Sequence, residues 1–248
     1  MQIHLFNDPQ ELGMAAGQNA ARVIRDAILE KGEANIILAT GASQFLILQY
    51  LVEDQIINWN KVVMFHLDEY LDLAETHNAR FRKYLKERFL EKVKPLKKVY
   101  LISGNTDPVE ECNQLKNAIQ KYPIDLALVG IGENGHLAFN DPPADFETTE
   151  PYIVVNLDEA CRMQQLNEGW FPSMDEVPKK AISMSVKQIM KSKNIISSVP
   201  DKRKAIAVYN CFKNGVSNLY PASILQEHAK CDIYLDKESA ALLYKQSV

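Results

Sequence analysis

His136 and Asp141 lie five residues apart in the stretch "GIGENGHLAFND" (Gly130 to Asp141). An imidazole beside a carboxylate can move protons near neutral pH, because the carboxylate orients the ring and tunes its pKa. A lone histidine is more often structural. This one is flanked by Glu133, Asn134 and Asp141, which makes it a candidate for acid–base work. A second pair of acids, Asp68 and Glu69, closes the apolar run Lys61 to Leu67. Adjacent side chains on a strand point to opposite faces, so at most one of the two faces a shared site. Asp68, Glu69 and Asp72 show no recognised metal-ligand spacing, and no metal is expected.

Two other segments suit an anion. Thr40, Gly41, Ala42 and Ser43 join an apolar run to an amphipathic one. Backbone N–H groups at a helix start, with two hydroxyls, fit a phosphate. The alternative is an ordinary turn in which Ser43 caps the helix. In "DKRK", Asp201 is a natural N-cap, which places Lys202, Arg203 and Lys204 in a first helical turn. Cations there oppose the helix dipole by ~0.3–1 kcal/mol each when exposed. An anion docked at that terminus makes sense of the cost; a solvated basic turn is the plain alternative.

The spacing Gly130, Gly132, Gly135 matches GxGxxG after a strand-like run. A dinucleotide fingerprint also needs a helix to begin there, and Pro142 and Pro143 forbid one. No NAD-type cofactor is expected.

These clusters need a scaffold that brings them to one rim. Short apolar runs alternate with amphipathic stretches along the chain. "QIHLF", "NIILAT", "KVVMFHL", "VYLI", "IDLALVGI", "YIVVN", "AISMSV", "NIISSV" and "CDIYL" read as strands. Helices are expected from Pro9 to a stop at Gly32, and over about 43–56, 79–93, 109–121 and 201–214. A last one begins at Lys237. Such alternation predicts an α/β fold: a single three-layer αβα Rossmann-like domain, spanning residues 1–248, with a mostly parallel sheet. Ligands of open α/β sheets bind outside the carboxyl ends of the strands, where all four polar clusters fall.

Composition narrows the function. At 46% hydrophobic and 24% charged residues, the chain can bury a sizeable core. A net charge of −4 gives no pull toward nucleic acid or an anionic membrane, so any anionic ligand needs a local basic cluster. The first apolar stretch lacks a basic leader, and a cytoplasmic location is expected. Cys112, Cys161, Cys211 and Cys231 form no CxxC pair and are expected as reduced, buried thiols.

Together, "FHLDEY" (Phe65 to Tyr70) and "GIGENGHLAFNDP" (Gly130 to Pro142), with "LATGAS", "DEACR" and "RKA", resemble the glucosamine-6-phosphate deaminase/isomerase family. That family shares its fold with the 6-phosphogluconolactonases. The resemblance implies conversion of a hexosamine 6-phosphate to a ketose phosphate and ammonia, with no cofactor. It implies that Asp68 transfers the proton between C2 and C1, and that His136 opens the sugar ring with Asp141 as its partner. Asn134 joins that catalytic group. Gly41, Ala42, Ser43 and Lys204 become the phosphate cradle, with Thr40, Glu69, Gly135 and Arg162 in the substrate-binding set. A homo-oligomer stays open.

The chain departs from the family at Asp141, where many members carry Glu. It departs again at Asn167, where the segment from Arg162 lacks the family's second, phosphate-binding arginine. Arg162, Arg80, Arg82 and Arg203 are the candidates to replace it. Within the fold the rival is a 6-phosphogluconolactonase-type hydrolase, whose Gly-His runs into a Ser-Leu-Phe-Pro-like segment rather than Leu137 to Pro142. A non-catalytic sugar-phosphate sensor is the rival of another class.

Overall fold

The computed structural model describes residues 1–244 of the chain. Its strands in chain order are β1 (Gln2–Phe6), β2 (Ala34–Leu38), β3 (Val62–His66), β4 (Asp68–Tyr70), β5 (Lys98–Tyr100), β6 (Leu126–Val129), β7 (Tyr152–Asn156), β8 (Lys180–Met184), β9 (Asn194–Val199) and β10 (Cys231–Asp236). Its helices are α1 (Pro9–Lys31), α2 (Phe45–Glu53), α3 (Phe81–Leu85), α4 (Pro108–Ile119), α5 (Glu159–Asn167), α6 (Val186–Met190) and α7 (Ala205–Lys213).

Every residue of β2, β3 and β6 is buried, as continuous apolar runs require when helices cover both faces of a sheet. These strands lie inside a seven-stranded sheet of order β1-β10-β9-β6-β2-β3-β5, with every pairing parallel. Strand alternation divides their side chains between two cores. Ile36, Leu38, Val62, Met64 and Leu128 pack with Leu12, Ala16 and Ile24 of α1 and Leu48 of α2. Ile37, Val63, Phe65, Ala127 and Val129 face the other way, toward Leu115 of α4 and Val208 of α7. The three layers therefore follow from period-two strands between amphipathic helices.

Local signals set the ends of α1. The Asp8 carboxylate accepts the Glu11 N–H at 2.9 Å, and Pro9 takes the first helical position. Gly32, at φ 83°, donates to the Ile28 carbonyl at 2.9 Å and stops the helix.

The structure corrects the sequence reading in three places. "YIVVN" and "AISMSV" do not extend the parallel sheet. With β4 they form a second, antiparallel sheet of order β4-β8-β7. The expected helix over 79–93 is interrupted: α3 gives way to a π-helical turn at Lys86–Leu90. The stretch from Lys237 to Tyr244 is a series of turns rather than a helix. The Asp236 carboxylate accepts the Ser239 N–H at 2.7 Å, the contact of a helix N-cap, but only turns follow it. Residues 245–248 of that expected helix lie outside the described residues. No helix among the described residues is long and apolar enough to cross a membrane.

Candidate functional site

Four loops converge where the parallel strands end. Thr40 to Ser43 follow β2, Leu67 and Asp68 follow β3, Gly130 to Gly132 follow β6, and Pro200 and Asp201 follow β9. Between them lies a cavity of about 280 Å³ lined by these loops together with His136, Arg203 and Lys204. Helix α5 and its exit close one side with Gln164, Gln165 and Glu168, while Phe81 and Phe139 supply apolar surface.

Asp68 is fixed by the joint between the two sheets. The preceding Leu67 donates its N–H to the Leu38 carbonyl of the parallel sheet at 3.2 Å, while its carbonyl accepts from Met184 of the small sheet at 2.9 Å. Asp68 itself pairs in register with Ser183. Burial pushes its carboxyl up to about 8, and the neighbouring Glu69 adds to the shift. Burial thus favours the neutral form of Asp68.

Glu69 points away from the cavity, as strand alternation demands. Its carboxylate accepts the backbone N–H groups of Tyr70, Phe81 and Arg82, at 2.8, 3.3 and 2.8 Å. Arg80 lies beside it at 3.7 Å and donates to the carbonyls of Tyr70 and Ser103 at 2.9 and 2.8 Å. Burial raises the Glu69 carboxyl to about 7 against the pull of these partners. Glu69 thus differs from its expected place in the substrate-binding set: it anchors the segment that begins α3.

The glycine-rich stretch forms a loop pinned at many points. Gly132 donates to the His136 carbonyl and Gly135 to the Gly132 carbonyl, both at 3.0 Å. The His136 ring lies against Gly132, where a Cβ would overlap ring atoms. Its Nδ1 is 3.1 Å from Asp141 Oδ1, off the line of a straight hydrogen bond. Asp141 is held in turn by the Asp158 N–H at 3.0 Å and the Asn134 amide at 3.0 Å. Burial alone would raise the Asp141 carboxyl; His136, Asp158 and Asn134 hold it below the usual carboxylate value. The shorter Asp141 side chain therefore still reaches the imidazole.

Asn134 also donates to Asp158 at 3.1 Å and accepts the His136 N–H at 3.0 Å. It touches both members of the histidine–carboxylate pair and does not line the cavity. Gly135, at φ 86°, likewise sits outside the cavity lining and accepts the Ala222 N–H at 2.9 Å.

Ser43 does not cap α2, since no side chain accepts at that helix start. Thr40, Gly41, Ala42 and Ser43 all line the cavity. The loop is braced from outside: the Tyr84 hydroxyl donates to the Gly41 carbonyl at 3.2 Å, and Ser198 donates to the Ser43 carbonyl at 2.9 Å. Opposite, Lys204 closes a short 3-10 turn (Lys202–Lys204) ahead of α7. Burial pushes its ammonium down, partly offset by Glu168 and Glu133. Among the described residues no carboxylate lies within 4.0 Å of it. Arg162 is absent from the cavity; its guanidinium donates to the Val177 carbonyl at 2.9 Å and to that of Met174.

His136, Asp141 and Cys161 place their ligand atoms within 4.8 Å of one another, a spacing a metal ion would accept. Burial, with Asp141 and Asp158 nearby, keeps the Cys161 thiol protonated well above its ordinary range. Cys161, Cys211 and Cys231 are buried and free, as expected, whereas Cys112 is free but only partly buried. Gln164, Gln165 and Glu168 went unmarked in the sequence reading. Their only signal was polar residues at helical spacing after Asp158, which any surface helix also shows.

Residues 7–234 match the family described as glucosamine-6-phosphate isomerases/6-phosphogluconolactonase. A glucosamine-6-phosphate deaminase of Oenococcus oeni is 35% identical over 247 residues, covering 99% of this chain and all of the relative. Glucosamine-6-phosphate deaminase 1 of Bacillus subtilis is 34% identical, covering 91% of this chain and 94% of its own. The solved structure of a monomeric glucosamine-6-phosphate deaminase superposes with a TM-score of 0.89 at 30% identity, covering 98% of this chain and 100% of that one. A 6-phosphogluconolactonase from Trypanosoma brucei, at 17% identity over 98% of each chain and a TM-score of 0.80, shares the fold. The chain belongs to the glucosamine-6-phosphate isomerase/6-phosphogluconolactonase family.

Proposed function

We propose that the protein deaminates and isomerises a hexosamine 6-phosphate, glucosamine 6-phosphate being the reference substrate, to the ketose 6-phosphate and ammonia. The observation that carries this reading is that Asp68 and His136 face one cavity that also holds Lys204 and the Thr40–Ser43 loop.

A cyclic amino sugar has no free carbonyl. His136, oriented by Asp141, shuttles the proton between the C1 hydroxyl and the ring oxygen, which opens the ring to the aldehyde. The C2 hydrogen is then acidic. Asp68 removes it to give an enolamine and returns it to C1, leaving a ketose imine. Water adds at C2 and ammonia departs. Asp68 must be ionised to act, although burial favours its neutral form. The substrate's C2 ammonium supplies the missing counter-charge, since an opposite charge within a few ångströms favours the carboxylate. The site thus becomes basic when it is filled.

The test is a panel of hexosamine 6-phosphates, with ammonia and ketose phosphate measured together. Equal release of both supports the reading. Hydrolysis of a sugar-acid lactone without deamination of any member would overturn it.

A further inference from the structure

Two cations, Arg203 and Lys204, line the cavity together with the Thr40–Ser43 loop. Lys204 is the one cation expected in the cradle, and position 167 holds an uncharged Asn. Of the four candidate arginines, Arg80 is buried on the carbonyls of Tyr70 and Ser103, and Arg162 is held by those of Met174 and Val177. Arg82 does not line the cavity, and Arg203 does.

We infer, building on the phosphate reading above, that Arg203 supplies the second cation of the phosphate subsite and that two acids hold it back until the phosphate arrives. Its Nη2 and Nε lie 2.9 and 3.1 Å from Asp201 Oδ2, and its Nη1 lies 3.6 Å from Glu133 Oε1. The Arg203 side chain is 45% exposed, so solvent screens these pairs and each contributes little. Glu133 Oε1 is buried and accepts no hydrogen bond, which makes Arg203 its compensation.

A phosphate dianion docked against Lys204 and the Ser43 loop offers Arg203 a bidentate partner that matches its planar fork. Moving there leaves Glu133 uncompensated. Glu133 is thus a competitor for Arg203, and it weakens phosphate binding even though it never touches the ligand.

The test uses inorganic phosphate binding to the intact protein by calorimetry, alongside KM for phosphorylated and non-phosphorylated amino sugar. Arg203→Gln should weaken phosphate binding and raise KM for the phosphorylated sugar by about tenfold, the worth of a charge-assisted hydrogen bond. Arg203→Lys should recover part of the loss. Glu133→Gln should shift both in the opposite direction, tightening binding by about two- to fivefold, the scale of an exposed ion pair. The non-phosphorylated sugar should not respond. Normal phosphate binding in Arg203→Gln, with a loss in Lys204→Ala, would overturn the role of Arg203 and leave the phosphate reading intact. Phosphate binding unaffected by either change would overturn both. A thermal melt of each variant separates these outcomes from misfolding.

Discussion

The His136 imidazole rests directly on Gly132, so that the smallest side chain at position 132 would occupy the volume of the ring. The glycine spacing that resembles a dinucleotide loop thus seats the histidine. Gly132→Ala should displace His136 and lower kcat by roughly 10²–10⁴, the usual worth of a general acid–base group, with KM little changed. A substrate supplied in open-chain form should recover part of the loss. Full activity of the variant on the cyclic sugar would show that the ring position is not critical.

Asp68→Asn should alter the dependence of stability on pH. The folded carboxyl titrates at about 8, well above its unfolded value, so the native state holds an extra proton between those two values. Stability therefore falls as pH rises through that window and levels off above about pH 8. Asparagine removes this dependence. The Tm of the variant minus that of the wild type should grow from pH 5 to pH 8. Taking the difference cancels other buried groups, such as His66, whose pKa burial and then Arg82 and Arg80 lower to about 3. A flat difference would place the Asp68 pKa near the ordinary carboxylate value.

Lys204→Ala should act through the phosphate. KM for the phosphorylated sugar should rise, and kcat should fall as well if phosphate binding energy positions the sugar against Asp68. Activity on the non-phosphorylated sugar should barely change, because the lost contact is absent there. Equal losses on both substrates would assign Lys204 to the fold or the chemistry.

Arg80→Met should unfold the segment behind the site rather than change its chemistry. It leaves Glu69 without its buried cation and two carbonyls without donors. A loss of about 3–5 kcal/mol is the usual scale for breaking a buried pair from one side. Chemical denaturation measures it, and an unchanged midpoint would contradict the structural role given to Glu69.

What the sequence disclosed was local. Continuous apolar runs announced β2, β3 and β6, and the polar clusters after them marked the rim where Asp68, His136, Ser43 and Lys204 now face one cavity. Asp68 and Glu69 were separable in advance because the period of a strand puts neighbours on opposite faces. The small antiparallel sheet was not legible. β4 pairs with a strand more than a hundred residues away, and nothing in "AISMSV" says which edge it will join. The destination of Arg162 was equally hidden, since it is set by the turn that brings the Met174 and Val177 carbonyls beside α5.

The proposed mechanism requires Asp68 to carry the C2 proton. The most direct measurement is exchange of the C2 hydrogen of glucosamine 6-phosphate with solvent deuterium, followed by NMR in wild type and Asp68→Asn, with substrate binding checked in both. Exchange should proceed in the wild type and be slowed by roughly 10²–10⁴ in the variant, while the variant still binds the sugar phosphate. Exchange at the wild-type rate in Asp68→Asn would contradict the account.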